Sequence, residues 1–168
     1  FAPTAAEVKD LISGNIPFKW QYGSQTDLLT NGTFTGSAAN WTLTNGAAYG
    51  TNNVIVTGDG SNTSLFYQSA IDGASAKSFA IKYEVTANTL VGTGLYLFLD
   101  TNGVTDIAVD TAIASTVGVH TVEITGKPTG TNSVLVLGIK PTSTSGAITV
   151  DNVSLMRLGA VALYTQDS

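Results

Sequence analysis

LLTNGTFTGSAANW, residues 28–41, is the stretch on which the fold turns, and AITVDNVSLMRL, residues 147–158, is its counterpart near the other end. In the first, the apolar pair Leu28 and Leu29 runs into the turn dipeptide Asn31-Gly32. A lone Phe34 and a run of small residues then lead to Trp41, the pattern of an opening strand and its corner. In the second, Ile148 and Val150 alternate with polar residues, and Val153 and Leu155 follow Asp151-Asn152. This is a closing strand with the periodicity to pair with the opening one.

Between the two, turn signals come thickly. Asn31-Gly32, Asn45-Gly46, Asp59-Gly60, Asp72-Gly73 and Asn102-Gly103 readily take positive φ at hairpin corners. The runs separating them alternate or are rich in β-formers, which predicts strands at 53–57, 64–70, 78–87, 94–101, 104–109, 117–126, 133–141 and 147–158. Short strands at this spacing predict an all-β antiparallel sandwich. Some strands are apolar on both faces: Leu95, Leu97 and Leu99 oppose Tyr96 and Phe98, and Leu135, Leu137 and Ile139 oppose Val134 and Val136. One such face belongs to the core, and the other calls for a ligand, a neighbouring segment or another subunit.

Composition narrows the partners. With 168 residues the chain is long enough for one ordinary core, burying about 70% of its unfolded surface. Only 11% of residues are charged, against about 25% in an average protein, so hydroxyls and amides carry its solubility. A net charge of −5 and the lack of a Lys/Arg stripe argue against nucleic acid and against anionic membrane surfaces. No apolar run approaches the length of a membrane span, so no insertion is expected. Cysteine is absent, which removes disulfides, thiolate metal sites and thiol nucleophiles together.

Ahead of the sandwich, Thr4 and Glu7 form a capping box, and Val8, Leu11 and Ile12 fall on one helical face. A helix near 5–13 is expected, too short to stand alone in water. Its apolar face calls for cover, from the sandwich, a neighbouring subunit or an upstream domain. Residues 1–27 are read as a helical connector carrying Phe18 and Trp20, 28–158 as the sandwich, and 159–168 as a last strand or linker. A start at Phe1 with no charged-then-apolar leader gives the expectation of a fragment or a processed product.

NGTF followed by a Trp, with VDNVSL in the final strand, resembles the jelly-roll carbohydrate-binding modules of xylanases and glucanases, and similar modules of bacteriophage tail fibres and tailspikes. The likeness spans about 28–158. It implies an antiparallel jelly-roll β-sandwich and a non-enzymatic module recognising cell-surface, plant or bacterial polysaccharide. The setting it implies is a virion tail appendage or the extracellular space, with the helix covered by symmetry mates in a homotrimer as in fibre proteins. The competing readings are a purely structural fibre module and an accessory module of a secreted polysaccharide-degrading enzyme. It also implies a structural Ca²⁺ where the first and last strands meet. Asp151 stands where that family carries its final-strand acid, and main-chain oxygens near Asn31 and Thr33 would complete the set. Thr35 departs from the pattern, because relatives often have an acid there. The plain alternative is that Asp151 only caps its own strand.

Residues for chemistry are sparse. His120, the only histidine, alternates with Val122 and Ile124, so an inward or edge structural role outweighs that of a base. No nucleophile elbow, P-loop or dinucleotide fingerprint is present. Asp100, Asp106 and Asp110 surround a turn, where aspartates usually serve as solvated caps rather than a hydrolytic pair. Sugar recognition needs aromatic rings for the C–H face of a pyranose and polar side chains for its hydroxyls. Tyr49, Tyr67, Gln68, Tyr96 and Phe98 are the candidates, each open to the alternative of packing. Trp41, Phe79 and Tyr83 read as core. Phe66 and Tyr67 must face opposite ways.

Overall fold

The computed structural model describes residues 27–71, 79–100, 107–124 and 133–157. They form two antiparallel five-stranded sheets packed face to face. One has the order β1-β4-β9-β6-β7, built from Thr42–Thr44, Ser64–Ile71, Ser133–Ile139, Tyr96–Asp100 and Ile107–Ala112. The other has the order β2-β3-β10-β5-β8, built from Ala47–Tyr49, Val54–Thr57, Ala147–Arg157, Phe79–Asn88 and Gly118–Ile124. Consecutive strands often change sheet, as a jelly roll requires. The eight strands expected between 53 and 158 are present as β3 to β10, and β1 and β2 are additional to them. The expected helix near 5–13, the Phe18–Trp20 arm, the Asp72-Gly73 and Asn102-Gly103 corners and residues 159–168 lie outside the described residues.

Alternation sorts the faces. Val54, Val56, Phe79, Ile81, Tyr83, Val85, Ile148, Val150, Val153 and Leu155 point inward from one sheet. Phe66, Leu95, Leu97, Leu137 and Ile139 meet them from the other. The open question at β4 resolves with Phe66 inside and fully buried and Tyr67 outside.

The stretch 28–41 is not an opening strand. Asn31 and Phe34 adopt left-handed backbone (φ 54° and 49°), which breaks the extended run. The segment instead folds into a plug closing the gap between the sheets. Its Phe34 is fully buried against Trp41 and Phe66, with ring centroids 5.2 and 6.2 Å away. The Asn31 amide donates to the carbonyls of Ser37 and Ala39, and its own carbonyl accepts from the Trp41 indole at 3.0 Å. Pairing with the closing strand survives only as a bridge between Asp27 and Met156 and two backbone bonds, Leu28 N–H to Leu155 and Val153 N–H to Gly32. Gly32 must be glycine, since a Cβ there would lie 1.8 Å from the Val153 carbonyl oxygen.

Two of the turn dipeptides do a different job from the one expected. Asn45-Gly46 joins β1 to β2 and Asp59-Gly60 lies between β3 and β4, and in both cases the joined strands belong to different sheets. They are corners of the sandwich rather than hairpin tips. Asp59 accepts from the backbone N–H of Ser61 and Asn62 and from the Asn62 amide, each at 2.8 Å, and so shapes its loop.

Candidate functional site

The outer face of the β1-β4-β9-β6-β7 sheet carries the chemistry that the sequence points to. Strand alternation turns Leu65 and Tyr67 of β4 and Tyr96 of β6 away from the core. They are half-buried and pack against a second apolar cluster, separate from the sandwich interior. The register aligns Leu65, Gly138 and Tyr96 in one row, flanked by Thr44 of β1 and Ala112 of β7. Tyr67 lies in the next row, opposite Thr42 and Val136. At ordinary strand spacing the two tyrosines are about 12 Å apart, room for more than one sugar ring.

Gly138 lowers the middle of this face. A Cβ at that position would sit 2.4 Å from the Ser64 carbonyl oxygen and 2.5 Å from Leu65 Cδ2, so the glycine lets Leu65 lean across β9. Just past the end of β9, Lys140 places its Nζ 4.3 Å from the centroid of the Tyr96 ring. A cation held over an aromatic face is an attractive contact, and it brings a hydrogen-bond donor to the rim of the platform. Two phenol rings and Leu65 thus lie on one β surface, with the Lys140 ammonium over one ring, and neither Tyr96 nor Lys140 is without a further partner.

The other sequence candidates are dispersed. Gln68 is a correction: it points inward and is 6% exposed. Its amide oxygen accepts from Thr30 N–H at 2.8 Å, and its amide nitrogen donates to the Thr30 carbonyl at 2.9 Å. It fastens the plug to β4 and has no polar atom left for a ligand on the outer face. Tyr49 lies on β2, in the opposite sheet, where its hydroxyl accepts from Asn52 N–H at 3.2 Å. It is 38% exposed but does not join Tyr67 and Tyr96. Phe98 falls in β6 opposite Val136 and Asp110, and its side chain lies outside the described part. Lys140 and Gly138 escaped the sequence reading, because only the strand register brings them to Tyr96.

The expected metal residues lie at the plug and the bulged part of β10. The Asn31 carbonyl already accepts from Phe34 N–H and the Trp41 indole. The Thr33 hydroxyl is paired with that of Thr35 at 3.0 Å. Asp151 Oδ1 accepts from Asn152 N–H at 2.6 Å. Asp151 faces Glu84 across the β10–β5 pair, and its carboxyl is raised above its ordinary value, by burial first and by the Glu84 charge in addition, with the Asn152 N–H opposing. Among the described residues no group of three His, Cys, Asp or Glu side chains converges on a metal position.

His120 behaves as a structural side chain. Its ring packs 5.4 Å from Tyr83 and its Nε2 is 2.6 Å from the Thr116 carbonyl. Tyr83 donates its hydroxyl to the Ala114 carbonyl at 2.7 Å, and burial pushes its pKa up to about 12. Both side chains fasten the β7–β8 loop to the sandwich.

No protein-family model matches the sequence, and no curated protein matches it in sequence. Solved structures share the fold. The second N-terminal cellulose-binding domain of Cellulomonas fimi β-1,4-glucanase C superimposes with a TM-score of 0.56 at 12% identity, over 83% of this chain and 99% of that one. A xylan-binding domain from Paenibacillus barcinonensis gives 0.51 at 16% identity, over 80% and 96%. The enzymatically active domain of tailspike protein 4 from bacteriophage CBA120 gives 0.55 at 13% identity, over 79% of this chain but 21% of that chain. The jelly-roll likeness carried by NGTF and VDNVSL is thus matched in three dimensions.

Proposed function

We infer that this chain is a non-catalytic carbohydrate-binding module whose glycan lies along the outer face of the β1-β4-β9-β6-β7 sheet. The observation that carries this reading is the set of partly buried Leu65, Tyr67 and Tyr96 on the side of the sheet away from the sandwich interior, edged by Lys140. Rings on a firm sheet suit the C–H face of a pyranose. The shared fold of domains named for cellulose and xylan binding lends support. A glycan array probed with the wild-type chain and with Tyr96→Ala tests it. Retention of polysaccharide by the wild type and loss by the variant is the expected result. A blank wild-type array leaves the structural reading, a sandwich that only braces a fibre.

The setting in this reading is a virion tail fibre or spike recognising host-surface glycan, supported by the tailspike likeness. The alternative is an accessory module of a secreted polysaccharide-degrading enzyme, supported by near full-length overlap with a domain taken from a glucanase. Homotrimeric assembly belongs to the fibre version.

Calcium at the junction of plug and closing strand belongs to the same reading, with a smaller donor set than expected. The Asn31 carbonyl is occupied twice, so a cation would draw on Asp151 and the main chain near Thr33. In its favour, Asp151 and Glu84 are like charges placed opposite each other, an arrangement a divalent ion neutralises.

A further inference from the structure

The opposite sheet has a concavity of its own. β10 bulges between Asp151 and Ser154, with Asn152 in the left-handed region (φ 50°). The bulge and β5 open a groove of about 300 Å³ lined by Asp27, Lys82, Glu84, Val119, Asn152 and Ser154, among others. Lys82 stands opposite Ser154, and Glu84 opposite Val119 of β8. Glu84 gives one oxygen, Oε2, to the Asn152 amide at 2.7 Å. Asp27 gives Oδ1 to the N–H groups of Leu29 and Leu155 at 3.0 and 2.9 Å. Each carboxylate thus keeps its second oxygen. Among the described residues Lys82 has no ion pair or hydrogen bond for its ammonium. Val119 is 58% exposed beside these groups.

We propose that this groove is a second saccharide site, taking one neutral hexose ring rather than a chain. A sugar hydroxyl both donates and accepts, so a vicinal pair is read best by a cationic donor and an anionic acceptor side by side. Lys82 supplies the donor, and Glu84 and Asp27 supply the acceptors. Asn152, already oriented by Glu84, adds a second amide contact. Val119 takes the C–H flank of the ring. The volume lies at the lower end of the range for ligand pockets, about 300–1,000 Å³, which suits a single unit or a chain terminus. The groove shares no residue with the Tyr67–Tyr96 face, so it stands or falls independently of that site.

The test is a ¹H–¹⁵N NMR titration of the chain with methyl β-D-glucopyranoside, methyl β-D-galactopyranoside and methyl α-D-mannopyranoside, in buffer containing a chelator. At least one glycoside should produce saturable shifts at the amides of Lys82, Glu84, Val119 and Asn152. Lys82→Met and Glu84→Gln should each weaken that binding at least tenfold, while Tyr96→Ala should leave it unchanged. Both groove substitutions are at surface positions, and their unliganded spectra report directly whether the sandwich is intact. The proposal is overturned if no glycoside shifts these amides saturably, if shifts appear only around Tyr67 and Tyr96, or if Lys82→Met titrates like the wild type.

Discussion

Tyr96 combines a half-buried ring, a cation over its face and a place outside the core. Replacing it by Ala is expected to cost about 1–2 kcal/mol in chemical denaturation, the value for a partly covered apolar side chain, while removing polysaccharide binding. A loss of about 3–5 kcal/mol would mark a fully packed ring instead and defeat the platform at this position. Asp151 makes a prediction about pH. Its carboxyl is raised in the folded state, so the protonated form is favoured there, and its contribution is full below the unfolded pKa and falls as pH rises through the folded one. In chelator, Asp151→Asn should therefore gain melting temperature relative to the parent as pH rises from about 3 to 7. Asp59 has the opposite sign: bonds from the Asn62 side chain, then from the backbone N–H of Asn62 and Ser61, lower its pKa from 3.8 to about 2. Its contribution is present above the unfolded value and disappears as pH falls through the folded one, so Asp59→Asn should matter less in acid than at neutrality.

At the scale of elements, the plug at 27–41 decides how the sandwich closes. It touches both sheets, through Asp27, Leu28 and Gly32 to β10 and through Thr30 to Gln68 of β4. Phe34 is fully buried among its apolar anchors, and Phe34→Ala should destabilise by about 3–5 kcal/mol. Gly32→Ala adds only one methyl group, yet its Cβ meets the Val153 carbonyl oxygen, a backbone atom that cannot rotate away. A loss of about 3 kcal/mol is expected. A melt of Gly32→Ala equal to that of the wild type would show that the plug does not hold this close approach in solution.

The whole molecule separates two surfaces by a shared core: an aromatic face on one sheet and a polar groove on the other. A trimeric fibre module should give three times the chain mass in light scattering, and a monomer at high concentration would remove trimerisation from the reading. A bound calcium ion should raise the melting temperature, because a ligand of the native state stabilises it by mass action. Chelation should lower that temperature, and Asp151→Ala should abolish the difference. An unchanged melt would leave Asp151 as a strand residue paired with Glu84.

The residue order alone indicated eight of the ten strands, β3 to β10, and their inward faces, because period-two alternation reports burial directly: Leu95 and Leu97 against Tyr96, Ile148 and Val150 against Thr149. It also located corners at Asn45 and Asp59, since local turn chemistry depends on a few adjacent residues. What it left open was pairing across distance. Whether Phe66 or Tyr67 faced inward depended on which side of β4 met the second sheet. Gln68 looked like a sugar ligand until the plug brought the Thr30 backbone onto it. The expected strand at 28–41 gave way because buried Phe34 gains more as a plug between sheets than as one rung of a ladder, even with its backbone left-handed. Lys140 over Tyr96, and Lys82 beside Glu84 and Asn152, are products of register and of one bulge. Only tertiary structure determines these, because the energy of a cross-strand contact depends on partners far away in the chain.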